Sequence, residues 1–204
     1  MISKFKYCYC VNFVLISKKR RRSAVIKASA EEFIHSVDGL CSVKLPRWHE
    51  LPDLDIYMDQ VLSLISRYFR DFPGFSEKGL TSSMVNNYVK LGIIPAPEKK
   101  KYNRVHLAYL VIICILKTVM PITMIRDMIS TMVIDKASYE TLYNRFCEHF
   151  ENVVDNARRT IDDMLSRESS PAELAVLSAL RSHTEQAIAL QLIRSLTAEN
   201  AAEA

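Results

Sequence analysis

The chain has 204 residues, 49% of them hydrophobic and 25% charged, with only four glycines. That length allows one well-cored domain plus an extension, or two small domains, and the scarcity of glycine excludes a loop-rich β architecture in favour of long helices. The formal net charge of +4 is local in origin, because residues 1–30 hold eight Lys/Arg and no acid, leaving 19 Lys/Arg against 23 Asp/Glu in the rest.

Beyond residue 30 the charge is still uneven. Residues 76–119 carry seven Lys/Arg against Glu77 and Glu98, whereas residues 120–204 carry eight against thirteen acids. The first of these segments suits a polyanion and the second does not. Five cysteines, Cys8, Cys10, Cys41, Cys114 and Cys147, form an odd set without a CxxC pair, which fits reduced thiols in a cytosol. Cys147 and His149 stand two apart on an expected helix and so point in different directions, and no metal site is expected.

In chain order, Tyr7–Ile16 is an apolar stretch of ten broken only by Asn12. It is too short for a bilayer, which needs about 20 apolar residues, and no membrane association is expected. The basic run Lys18-Lys19-Arg20-Arg21-Arg22 follows it, whereas an export signal places its charges first. One reading is a basic nucleic-acid-binding arm. The other is a translated leader: a bacterial ribosome-binding sequence read in frame encodes Arg-Arg, Arg21-Arg22 stands just before Val25, and Val25 is then the start. Residues 1–30 receive no function under either reading.

A short helix is expected from about Glu31, then an irregular connector with Pro46, Trp48 and Pro52. Asp53 and Asp55 are expected to cap a helix in which Tyr57, Val61, Leu64, Ile65, Tyr68 and Phe69 recur at helical spacing. Pro73, Gly74 and Gly79 turn the chain. A second helix is capped by Thr81 or Ser82 and stopped by Gly92. Pro95 and Pro97 hold an extended segment up to Lys99-Lys100-Lys101-Tyr102, and Asn103 caps a third helix, His106 to Val119, apolar almost all round. Pro121 opens a short helix, Ile122 to Val133. Ser138 caps a long one with a seam of Tyr143, Phe146, Phe150, Val153, Ala157, Ile161 and Met164, and Pro171 starts the last.

The second helix carries the functional signal. Met84, Val85, Tyr88, Val89 and Leu91 share one side of a helical wheel; Ser82, Ser83, Asn86, Asn87 and Lys90 share the other, which has no acid. Solvated helix faces usually mix both signs of charge, so a Ser/Asn/Lys face offers instead the hydroxyls and amides that bond phosphates and base edges. Lys99, Lys100, Lys101 and Arg104 follow in a proline-bounded loop, placed to touch phosphates beside a helix in the major groove.

The run from Leu80 through Tyr88, Gly92-Ile93-Ile94-Pro95 and then Tyr102-Asn103-Arg104 resembles the helix-turn-helix of mercury-resistance-type (MerR) regulators, with an aromatic-ended recognition helix, a Gly-Leu-Ile-Pro element, a wing and a Tyr-Arg pair. Residues from about Pro52 to Ile129 also resemble an uncharacterised bacterial family known only as a domain of unknown function. The chain departs from the MerR pattern at Asn86-Asn87, where those regulators usually carry an arginine.

The resemblance implies an all-α protein, with a MerR-like winged helix-turn-helix at about residues 56–104 followed by long amphipathic helices. Residues 1–30 are then a leader, 31–134 the DNA-binding domain and 135–204 a dimerisation or partner-binding region. Ser82, Ser83, Asn86, Asn87, Lys90, Lys99, Lys100, Lys101, Tyr102 and Arg104 are the expected contacts of double-stranded DNA in a cytoplasmic, homodimeric regulator. No cofactor is expected and no catalytic residue is assigned, since the sequence has no Gly-rich phosphate loop, GxSxG or HExxH. The alternative is a helical protein–protein adaptor.

Overall fold

Ile56 and Tyr102 exchange both backbone hydrogen bonds, at 2.9 and 2.8 Å, as an antiparallel bridge, and this fixes where the first helix begins. A residue whose N–H and C=O are taken by a distant partner is extended, so helix α1, Met58–Tyr68, starts after it. Its N-cap is the extended Tyr57, whose N–H donates to Gln60 Oε1 at 2.9 Å. The capping role expected of Asp53 and Asp55 is therefore not theirs, because the bridge stands between them and the helix.

The computed structural model describes residues 38–39, 41–70, 72, 75, 79–134, 138–166 and 170–203. The expected leader and the expected helix from Glu31 lie outside these residues. The chain divides into residues 1–42 and 43–204; in the first unit Ser42 Oγ donates to Gly39 O, and all that follows belongs to the second.

Helix α2, Ser82–Lys90, is capped as the sequence suggests, with Thr81 Oγ1 accepting from the Met84 N–H at 3.3 Å. It ends in a Schellman motif. Gly92 stands at φ +68°, its N–H donates to Val89 O and that of Ile93 to Tyr88 O, which satisfies two carbonyls the helix cannot pair itself. Helix α3, Arg104–Leu116, begins two residues before the expected start and stops three before the expected end. Asn103 Oδ1 accepts from the N–H groups of Val105 and His106.

Leu107, Leu110, Val111 and Ile113 of α3 are fully buried, and α3 packs against α1, against α4 (Ile122–Ile134) and against α5 (Tyr139–Ser166). Each such side chain contributes about 1.5–3 kcal/mol by leaving water, so this helix holds the unit together. Val61 and Ile65 of α1, Val85 and Tyr88 of α2, and Ile125 of α4 close over it in one buried cluster.

That cluster also takes in Tyr143 and Cys147, so the first turns of α5 belong to the same core as residues before 134. The connector clasps them: Tyr143 Oη donates to Pro46 O at 2.7 Å, the Trp48 N–H donates to Asn144 Oδ1 at 3.0 Å, and Arg47 pairs with Glu151. Farther along the seam Val153 is 66% exposed. Helix α6, Pro171–Glu203, packs on α4, its Leu174 and Ile193 are buried, and Gln186 Nε2 donates to Val119 O. Among the described residues no helix is long and apolar enough to cross a membrane.

Candidate nucleic-acid interface

Helix α2 presents the two faces its spacing predicts. Val85 and Tyr88 are buried and Met84 and Val89 half-buried, while Ser82, Ser83, Asn86, Asn87 and Lys90 are exposed. Leu91 departs from the wheel, being exposed at the C-cap, where the chain already leaves the helical path.

The lysine loop is a two-residue hairpin turn. The Lys101 N–H donates to Glu98 O at 2.8 Å, and Lys99 and Lys100 between them have φ of +48° and +63°. Two consecutive left-handed residues match the twist of a tight hairpin, which is why Asn-Gly usually fills such turns. For a residue with a Cβ the left-handed conformation costs roughly 1–2 kcal/mol. Two lysines therefore sit where the backbone favours neither, and both side chains are exposed. Lys101 lies lower, with its Nζ 5.6 Å from the ring centre of Tyr57.

Tyr102 and Arg104 do not join this surface. Tyr102 is 3% exposed, bridges to Ile56 and meets His106 edge-on, and burial raises its phenol pKa. Arg104 donates from Nε to Leu51 O at 3.1 Å, reaches Asp53 at 3.4 Å and lies over the Trp48 ring. A guanidinium so engaged anchors the connector to the start of α3, so these two expected contacts serve the fold. The other eight expected residues lie on α2 and the hairpin.

His106 positions the stretch leading to the hairpin. Its Nδ1 accepts from the Asn103 N–H at 3.1 Å, and the ring is 4% exposed, with no hydrogen bond at Nε2. Burial pushes its pKa below the usual value, against the carbonyls of Ala96 and Pro95, which favour the charged ring. The imidazole thus packs beneath residues 95–96.

Cations the sequence reading passed over also flank α2. Lys117 shares a groove with Ser83 and Asn87, and its Nζ is 5.5 Å from the ring centre of Phe75. Arg67 and Arg70 stand exposed at the end of α1, beside a groove that reaches Gly79.

The clasp at Pro46, the α1–α2 pair, the hairpin and the packed start of α5 fall within one matched segment, which a family model described as "Domain of unknown function (DUF1836)" covers from residue 46 to residue 146. Residues 46–146 are a DUF1836 domain. The domain begins at the residue whose carbonyl holds Tyr143 and ends three residues past Tyr143, so its limits coincide with a structural closure. It extends beyond the span of about Pro52 to Ile129 recognised in the sequence. No curated protein and no solved structure matches the chain.

Proposed function

We propose that the DUF1836 domain binds double-stranded DNA, with α2 facing the bases and the hairpin lysines on the phosphates, in the manner of a MerR-like winged helix-turn-helix in a cytoplasmic bacterial regulator. The observation that carries this reading is the acid-free exposed face of α2 beside a turn that holds two lysines in left-handed conformations. Strain of this kind persists where function keeps it. Asn86 and Asn87 are the reading residues, since a side-chain amide can bond two atoms of an adenine edge at once.

Asn86→Ala and Asn87→Ala each reduce discrimination between binding sites by about 1–3 kcal/mol. Both residues are exposed, so the fold is unaffected. Selection of bound sequences from a random pool measures this, and unchanged preference in both variants removes α2 as the reading helix.

One reading helix covers only a few base pairs, and paired half-sites about one DNA turn apart extend the contact. A homodimer through the long helices supplies the pair. Its support is the apolar surface left by α5 and α6, where Val153, Leu180 and Leu192 are more than half exposed. Sedimentation at micromolar concentration gives twice the chain mass of 23.4 kDa under this reading and a concentration-independent single mass against it. The same exposed residues favour a second reading, a helical adaptor that binds another protein, which salt-dependent DNA binding by the parent chain separates from the first.

A further inference from the structure

Ser63, Ser66 and Arg67 succeed one another by three and one residues, which puts them on one stripe of α1, and Arg70 follows in the turn past its C-cap. All four are exposed, and with Phe69, Phe75 and Gly79 they line an open groove. Gly79 lies two residues before Thr81, the cap of α2, so the groove opens at the amino-terminal end of the proposed reading helix.

Phe75 joins it to a second groove. Lys117 sits over the Phe75 ring and lines that neighbouring groove together with Ser83 and Asn87 of α2. Three cations thus line these two grooves, and among the described residues no carboxylate lines either one or forms an ion pair with Arg67 or Arg70; Asp59 lines a third groove beside Ser63 and Arg67. Guanidiniums and hydroxyls lining one groove match the non-bridging oxygens of successive phosphates.

We propose that the Arg67–Arg70 groove, continued by Lys117, holds the phosphate backbone of one strand of duplex DNA while α2 faces the bases. This rests on the DNA-binding reading and adds to it a second set of phosphate contacts, independent of the hairpin lysines. The aromatic Phe75 lines the arginine groove and carries Lys117 over its ring.

The test uses the full chain and a random-sequence duplex, with binding followed by fluorescence anisotropy across a salt series. Arg67→Gln with Arg70→Gln lowers the slope of log affinity against log salt by about 1.8, at about 0.9 per lost contact, and leaves the thermal midpoint unchanged. Arg67→Lys with Arg70→Lys keeps most of the slope. Ser66→Glu, which adds a carboxylate and spares both arginines, weakens binding at low salt and gives a second measure should the double variant lose structure. A Gln pair that keeps the parent slope, while a hairpin-lysine variant loses its share, overturns the groove and leaves the DNA reading standing. A parent chain with no salt-dependent binding overturns both.

Discussion

Replacing Lys99 with Asn and Lys100 with Gly makes the protein more stable and its binding to every duplex weaker. The stabilisation follows from the turn: both lysines occupy positive φ, at roughly 1–2 kcal/mol each, and Asn-Gly is the pair that a tight hairpin prefers. Part of the gain is offset by the entropy Gly brings to the unfolded chain, about 0.5–1 kcal/mol. A net gain of about 1–2 kcal/mol raises the thermal midpoint by about 2–8 °C at this chain length. Binding moves in the opposite direction, because two cations at the hairpin tip are lost and the salt slope falls by about 1.8. Opposite signs in one variant are what a functional site held under backbone strain produces. Calorimetry and a salt series measure them separately. Greater stability with an unchanged slope shows that the lysines touch no phosphate, and reduced stability shows that the turn was not strained.

Tyr102→Ala lowers stability by about 3–5 kcal/mol, the range for deleting a buried aromatic side chain, and takes the thermal midpoint down by about 6–20 °C. Tyr102 is 3% exposed, and its ring stands beside the Ile56 bridge that sets the start of α1, so the loss spreads to the helix that supports α2. Tyr102→Phe keeps the packing and leaves the midpoint nearly unchanged. Arg104→Ala belongs to the same experiment: it releases Leu51 O, Asp53 and the Trp48 ring, lowering the midpoint without altering the salt slope. An Arg104→Ala variant with the parent midpoint and a smaller slope places that guanidinium on DNA after all, against its internal contacts.

The exposed face of α2 was legible before any coordinates, because residue type and a period of 3.6 settle which side of a helix is apolar. Arg67 and Arg70 were not. Two arginines at the polar end of an amphipathic helix look the same whether they face open water or a groove, and this groove brings them together with Gly79, nine residues past Arg70. Tyr102 and Arg104 misled for a related reason: a Tyr-Asn-Arg run after a basic turn fits both a DNA-facing wing and an internal anchor, and their partners, Ile56 and Leu51, lie some fifty residues earlier.

The sequence by itself determined the helices and most of their ends, since Thr81, Gly92, Asn103, Pro121, Ser138 and Pro171 act on backbone groups within a few residues of themselves. The tertiary structure alone decided where α1 begins, which of the expected contacts face outward, and where the last helix rests. An apolar stripe on the last helix does not name its partner, and α6 lies on α4. A cap or a turn is a local bargain between neighbouring residues, whereas an apolar stripe records only that something must cover it, and the choice of cover is made by every other surface competing for the same burial.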